Sequence, residues 1–331
     1  MDSAAQFLAL IDAFAGLRVA VVGDVVADEF VYGRVARVSR EAPVLILEYD
    51  STQVVPGGAG NAANNVAALG GRTRLAAVVG RDEPGTRLVR ALHRHVDRAT
   101  LVRLAGVGTA VKTRILAGGI HSAKQQVVRI DKSVRRPSDA RARSAFERAA
   151  LRAVKNADAV LVSDYGSGLV TPALVSRLRK ALRRGPPILI DTRYRLMDYK
   201  GLTACTPNES EVEQALGVRI NDNPRTLERA GREILAQTAM RAVLITRGSR
   251  GMALFEPDTP TVHIPIFGSD EIADVTGAGD TVMATVTLAL AAGASFEQAA
   301  RLANFAGGIV VMKRGTATVS PAELRKAVAR G

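Results

Sequence analysis

The sequence predicts an α/β fold: a doubly wound, mainly parallel sheet with helices on both faces, plus a small β-sheet lid. Three observations predict it. Short β-branched runs recur along the chain, segments of helical period separate them, and two stretches, 30–55 and 107–131, break that rhythm with strand-like patterning and few helical signals.

The elements follow in chain order. Residues 17–23, Leu-Arg-Val-Ala-Val-Val-Gly, are apolar and β-branched and stop at a glycine, the pattern of a strand buried on both faces. Similar runs lie at 75–79, 159–163, 187–191 and 242–246. Helical period is expected over 59–69, 84–93, 138–155, 172–184 and 225–238, and strand–helix alternation of this kind gives parallel strands. In the two odd stretches, Leu45-Ile46-Leu47-Glu48-Tyr49 and Lys112-Thr113-Arg114-Ile115-Leu116 read as strands. They are expected to pair into a small second sheet that projects from the strand ends and covers a substrate as a lid. The alternative is a pair of ordinary surface hairpins. The C-terminal third reads as Ala-rich helices over 281–292 and 296–313. The apolar run 282–294 falls short of the roughly 20 residues that span a bilayer and reads as a buried core helix. With no repeat, low-complexity segment or long linker, residues 1–331 are expected to form one domain with the lid segments inserted in it.

Composition narrows the function classes. The chain is 47% hydrophobic and 23% charged, which excludes a mainly disordered protein. Trp is absent and aromatics make up 4%, so a base-stacking surface for single strands is not expected. The net charge is +13, but the arginines are spread along the chain, whereas nucleic-acid binders concentrate theirs on one element or tail. The charge therefore points to anionic small molecules, not to nucleic acid or a membrane. The single Cys205 excludes an intramolecular disulfide or a Cys-based zinc site, and no secretory signal follows Met1, so a reducing, cytoplasmic setting is expected. His93 and His95 flank Arg94 with no carboxylate nearby and read as surface residues.

The strongest chemical signal is Asp274-Val275-Thr276-Gly277-Ala278-Gly279-Asp280-Thr281, directly before an apolar helix. Gly277 and Gly279 let backbone approach a ligand closely, and amides at a helix N-terminus favour an anion. Asp280 in the same turn repels a bound phosphate unless it has a task, and the natural task is taking a proton from an attacking hydroxyl. The plain alternative is an Asp that caps the helix. There is no Walker A sequence and no full Gly-x-Gly-x-x-Gly fingerprint, which argues against P-loop and dinucleotide readings.

The segment Asp274–Asp280 resembles the C-terminal signature of the ribokinase-like (PfkB) carbohydrate kinases. Pro56-Gly57-Gly58-Ala59-Gly60-Asn61 resembles that family's N-terminal element, Thr206-Pro207-Asn208-Glu209-Ser210-Glu211 its Asn-x-x-Glu element, and Thr246-Arg247-Gly248-Ser249-Arg250-Gly251 its nucleotide-side loop. Four further segments, 23–28, 39–44, 163–168 and 315–320, resemble most the D-glycero-β-D-manno-heptose-7-phosphate kinases of ADP-heptose synthesis, in their stand-alone form. Ser167 stands where those kinases usually carry Lys, and Arg40 where they carry Pro.

The resemblance implies a ribokinase-like fold, a homodimer through the lid, and ATP, Mg²⁺ and K⁺ as cofactors. It implies phosphorylation of the 1-hydroxyl of the heptose 7-phosphate to a 1,7-bisphosphate, a precursor of lipopolysaccharide core. The alternatives are another sugar kinase of the family, such as one for ribose or fructose, and, remotely, a non-catalytic basic nucleic-acid binder. Asp280 is then the expected base, with the amides of Gly277, Ala278 and Gly279 as anion hole. Asp28, Asp24, Gly57, Gly58, Asn61 and Asp164 are expected at the sugar. Arg114 is expected to clamp the far phosphate, in a stretch that also holds Gln125, Gln126 and Arg129. Asn208, Glu211, Thr246, Gly248, Gly251 and Asn304 are expected at the nucleotide, Glu211 reaching Mg²⁺ through water and Asn304 bordering the adenine. Asp274 and Thr276 are expected to hold the monovalent cation. The alternative for the Asn208 region is a helix start with a capping box from Thr206 to Glu209.

Overall fold

The computed structural model describes residues 3–118, 124–132, 140–182, 185–268, 274–313 and 315–330. Helix α1 (Ala4–Ala13), capped by Ser3, precedes β1 (Arg18–Gly23). Two long strands follow, β2 (Val25–Val38) and β3 (Leu45–Gly58), then α2 (Ala59–Ala68) and β4 (Arg72–Gly80). After α3 (Glu83–Ala91) come β5 (Val96–Asp97), β6 (Leu101–Leu104), β7 (Ala110–Gly118) and β8 (Gln125–Lys132). The chain then alternates through α4 (Ala140–Ala153), β9 (Ala159–Asp164), α5 (Pro172–Ala181), β10 (Ile188–Thr192) and β11 (Ala204–Cys205). Helices α6 (Glu209–Leu216) and α7 (Pro224–Thr238) lead to β12 (Ala242–Thr246), β13 (Met252–Phe255) and β14 (Val262–Ile264). Helices α8 (Ala278–Ala291), α9 (Phe296–Val311) and α10 (Pro321–Val328) close the fold.

The main sheet runs β14-β13-β12-β11-β10-β9-β1-β4-β5, with β6 also pairing β4. It is parallel from β12 to β5, and β13 and β14 add an antiparallel edge. Its near-continuous apolar strands reflect burial on both faces. Along β1, Val19 and Val21 join the core under α1, α2, α8, α9 and α10, while Ala20 and Val22 join the core under α4, α5 and α7. The expected buried helix at 282–294 is observed as α8, whose residues from Asp280 to Ala289 are all buried. Its threonines are satisfied within the core: Thr285 and Thr287 donate to the carbonyls of Thr281 and Met283 at 2.8 and 2.7 Å. No described helix is long and apolar enough to cross a membrane.

The two stretches that break the strand–helix rhythm form one separate sheet, ordered β3-β2-β7-β8. Strand β2 pairs β3 antiparallel, β7 parallel, and β7 pairs β8 antiparallel. Residues 119–123 of the second stretch, and the expected helix ends at 138–139 and 183–184, lie outside the described residues. The sheet projects from the core: β2 is buried at Val25–Asp28 and exposed from Arg34 to Val38, and β8 is exposed at every position. His95 is exposed and His93 half-buried, its ring edge-on to His95.

Candidate active site

A cleft opens between the small sheet and the C-terminal ends of the central strands, the usual ligand position in a doubly wound sheet. Its inner half, about 460 Å³, is lined by Asp28, Arg114, Thr246, Thr276, Gly277 and Asp280 among others. Its outer half, about 650 Å³, is lined by Asp24, Lys132, Ser167 and Gln214 among others. Lys112, Arg129, Tyr165, Arg193, Asn208 and Glu211 belong to both halves, so the two are continuous.

Asp280 sits in the first turn of α8, entered through Gly277 at φ 80°. The Asn61 amide donates to its Oδ2 at 2.7 Å and reaches the Gly277 carbonyl at 3.4 Å. Asn61 is itself held: Asn65 donates to its Oδ1 at 3.1 Å, and Thr281 donates to Asn65 Oδ1 at 2.9 Å. A side chain at Gly277 would place Cβ 2.6 Å from the Asn61 amide nitrogen, so this contact requires glycine. Burial pushes the Asp280 carboxyl up to about 7 and the Asp28 charge adds to it, while Asn61, Lys112 and Tyr165 pull it back. Ala278 donates its backbone N–H to the Val275 carbonyl at 3.2 Å and does not line the cleft, which leaves Gly277 and Gly279 of the three expected amides there.

On the small-sheet side, Asp28 lies across the cleft at 7% exposure, and Arg114 donates to its Oδ1 at 2.6 Å. Arg114 therefore neutralises Asp28 instead of presenting an uncommitted guanidinium to a phosphate, a departure from the sequence expectation. The Asp28 carboxylate also explains Gly57, where a Cβ would lie 2.1 Å from Oδ2. At Gly58, φ is 58° and a Cβ would meet the Asp24 carbonyl at 2.5 Å and the Tyr165 ring at 3.3 Å. Asp24 is buried and accepts from the amides of Tyr165 and Ser167 at 3.0 and 3.2 Å and from the Ser167 hydroxyl. Burial raises its pKa. Asp24 thus shapes the loop after β9, and Ser167 is engaged with it. Asp164 is not brought to the cleft. It is 2% exposed and accepts from Gly166 N–H, Thr192 and Tyr199 at 3.0, 3.1 and 2.7 Å, because it ends β9 inside the sheet. Arg40 is exposed in the turn between β2 and β3 and Gln125 and Gln126 are exposed on β8, none of them lining the cleft. Arg129 lines it and pairs with Asp131 at 2.8 Å.

On the other side, Asn208 and Glu211 form a reciprocal capping box at the start of α6. Glu211 N–H donates to Asn208 Oδ1 at 2.9 Å, and Asn208 N–H donates to Glu211 Oε2 at 3.0 Å. The box is therefore two residues later than Thr206–Glu209: Thr206 turns inward to the Met283 sulfur, and Glu209 pairs with Arg247 at 2.7 Å. Thr246 lines the inner cleft, while Gly248 and Gly251 lie beyond it in the turn to β13, where a Cβ on Gly251 would meet the Ile264 carbonyl at 2.1 Å. Asp274 accepts from the N–H groups of Thr276 and Gly315 at 2.8 and 3.0 Å and so ties the turn before α8 to the segment after α9. Asn304 is not in this cleft. Its amide donates to the Pro265 carbonyl at 2.8 Å in a separate groove of about 670 Å³ with Phe7, Phe267 and Phe305.

Lys112, Tyr165, Asp191 and Arg193 line the cleft and carry no role in the sequence reading. One signal was available, since Lys112 is two residues from Arg114 on a strand and shares its face. Asp191 is pushed well up by burial, by Asp280 and by Glu211, and burial raises Glu211. Two under-compensated carboxylates on one wall suit Mg²⁺, which takes oxygen donors and keeps several waters.

The sequence pattern of the pfkB family carbohydrate kinases matches residues 17–323. The bifunctional protein HldE of Trichlorobacter lovleyi is 42% identical over 315 residues, covering 94% of this chain and 63% of that protein. HldE of Geobacter metallireducens is 43% identical over 307 residues, covering 92% and 61%. The chain thus spans less than two thirds of the length of these relatives. Among solved structures, Arabidopsis thaliana ribokinase complexed with ribose and ATP superposes with a TM-score of 0.70 at 22% identity, covering 96% and 98% of the two chains. Phosphofructokinase-2 from Escherichia coli in complex with potassium does so with a TM-score of 0.74 at 17% identity, covering 96% and 99%. The fold is ribokinase-like, and by its sequence the chain belongs to the pfkB family of carbohydrate kinases.

Proposed function

We propose that this carbohydrate kinase transfers the γ-phosphoryl of ATP to the anomeric 1-hydroxyl of D-glycero-β-D-manno-heptose 7-phosphate. The observation that carries a hydroxyl acceptor is the buried Asp280, held by Asn61 at 2.7 Å and opposed across the inner cleft by Asp28. The acceptor hydroxyl gives its proton to Asp280 as its oxygen bonds to the γ-phosphorus and the bond from that phosphorus to the ADP oxygen breaks, while a neighbouring sugar hydroxyl donates to Asp28 and orients the ring. Backbone amides at the start of α8 face the charge of the transferred group. Bound Mg²⁺ neutralises phosphate charge, and Glu211 and Asp191 would hold its water shell. The heptose acceptor rests on the segments 23–28, 39–44, 163–168 and 315–320. K⁺ at the Asp274–Thr276 turn and a cytoplasmic location belong to the same reading.

A homodimer through the small sheet is part of it too. Of the 11 exposed large hydrophobics among the described residues, eight cluster there, namely Val35, Val38, Val44, Leu45, Tyr49, Val127, Val128 and Ile130. A cluster of exposed apolar side chains of that kind calls for a partner.

The test is MgATP turnover against a panel of sugars and sugar phosphates, read by phosphorus NMR. A new anomeric phosphate on the heptose 7-phosphate alone supports the full reading. Preferential turnover of ribose or a ketose keeps the kinase and rejects the heptose.

A further inference from the structure

The outer half of the cleft is lined by four cations, Lys112, Arg129, Lys132 and Arg193, against three carboxylates, Asp24, Asp131 and Glu211. Lys112 stands directly opposite Asp28 in the β2–β7 ladder, yet the Asp28 carboxylate pairs with Arg114, two residues further along β7. Lys112 is left over the Tyr165 ring, 5.1 Å from its centroid, with no ion pair among the described residues. Arg193, on the opposite wall just past β10, is fixed by its backbone N–H on the Asp164 carbonyl at 3.1 Å. Its guanidinium likewise has no ion pair among the described residues, and Asp191 and Glu211 feel its charge only through space. Both cations line both halves of the cleft; burial lowers the Lys112 pKa first, and repulsion from Arg193 lowers it further, against the pull of Asp28 and Asp131. Lys132 lines this half too, as does Arg129, which is paired with Asp131.

We propose that Lys112 of the small sheet and Arg193 of the core together bind an anionic group, a phosphate monoester carried by the acceptor at the end remote from the reacting hydroxyl. This assignment rests on the sugar-kinase reading and names its specificity residues. A dianion between two like charges turns repulsion into two charge-assisted contacts and ties the small sheet to the core across the opening. The nucleotide's own phosphates are the other source of such an anion. Position favours the acceptor: Thr246, Thr276, Gly277 and Gly279 line only the inner half, whereas Ala110, Val111 and Lys132 of the small sheet, with Asp24, Ser167 and the α6 residues Ser210 and Gln214, line only the outer half. Arg114, the cation that the strand pattern singles out first, is neutralised by Asp28 and is not the clamp.

The experiment compares wild type with Lys112→Met, Arg193→Met and Lys112→Arg. Calorimetric titration and steady-state kinetics use phosphorylated sugars, the same sugars without the phosphate, and MgATP. Each Met variant is expected to lower the preference for phosphorylated over unphosphorylated acceptor by about tenfold or more, through acceptor KM, with Lys112→Arg restoring most of it. Equal losses for both kinds of acceptor, no loss, or a loss confined to the KM of MgATP would each overturn it, the last assigning the pair to the nucleotide. If wild type binds no sugar phosphate but phosphorylates a neutral sugar, this inference fails while the kinase reading stands. If it binds sugar phosphates through these residues and phosphorylates none of them, the kinase reading fails instead.

Discussion

Asn61 donates a 2.7 Å hydrogen bond to Asp280 across 219 residues of sequence. The contact exists because α2 and α8 begin beside one another, each entered through a glycine at positive φ, Gly58 and Gly277. Two motifs far apart in the chain are thus one device. The first orients the carboxylate that the second supplies, and the Thr281–Asn65–Asn61 chain of hydrogen bonds locks the orientation.

Replacing Asp280 with Asn is expected to keep MgATP binding and lower kcat by about 10²–10⁴-fold, the usual worth of a general base. Calorimetric titration with MgATP beside the turnover assay separates the two effects. A variant that keeps wild-type kcat removes Asp280 from the mechanism.

With Asp280 as the proposed base, activity should rise with pH around 7, because a carboxylate takes a proton only when ionised and this one is pushed up to about 7. Asn61 holds that value down, so Asn61→Ala should move the acid limb of the pH–rate profile to higher pH as well as lower kcat. A fall in kcat with an unmoved limb would show that Asn61 serves packing alone.

The same carboxyl opposes folding at high pH. Its folded pKa lies above its unfolded one, so between about 4 and 7 the folded state binds more protons and stability falls as pH rises. Asp280→Asn should therefore raise the melting temperature at pH 8 and leave it nearly unchanged at pH 4, where wild type is protonated in the folded state and half so in the unfolded one. The distance between the two pKa values sets the size of the effect at roughly 4 kcal/mol. Thermal melts at the two pH values decide it, and equal effects at both would contradict the burial argument.

Gly277 and Gly279 should respond oppositely to alanine. At Gly277 a Cβ meets φ 80° and the Asn61 amide at 2.6 Å, whereas at Gly279 nothing lies within 4 Å. Gly277→Ala is expected to cost about 1–2 kcal/mol in backbone strain alone and to lower kcat up to about 10²-fold by displacing the base. Gly279→Ala should not lower the melting temperature, since alanine favours the first turn of a helix. Melting curves of both variants test the contrast.

The layers of the main sheet were legible because its central strands are apolar on both faces, as Val19 to Val22 show, and the small sheet was legible from its missing helical period. The site was legible where glycine reports a constraint, at Gly57, Gly58 and Gly277, and at Asp280, whose placement before an apolar helix has few readings. Contacts between distant segments were not. Nothing in the residue order says that Arg114 turns to Asp28 and leaves Lys112 over the Tyr165 ring, because both lie on one face of β7 and only the position of β2 separates them. Asp164 stands at a strand end, where side chains often reach a ligand, but Thr192 and Tyr199, from β10 and the turn after it, close over it. Asn304 lies outside the cleft for a similar reason: the carbonyl it serves, Pro265, follows β14 and is distant in sequence.

The small sheet supplies the last prediction. Val38 and Ile130 are 59% and 55% exposed, Val38 at the end of β2 away from Asp28 and Ile130 on the edge strand β8. Charged residues there forbid a close apolar contact between two copies while leaving the core untouched. The Val38→Lys/Ile130→Lys variant should therefore sediment as a monomer where wild type sediments as a dimer, and it should still melt cooperatively because the core is unchanged. A wild type that is monomeric at micromolar concentration would remove the dimer. A charged variant that remains dimeric would move the interface off this sheet.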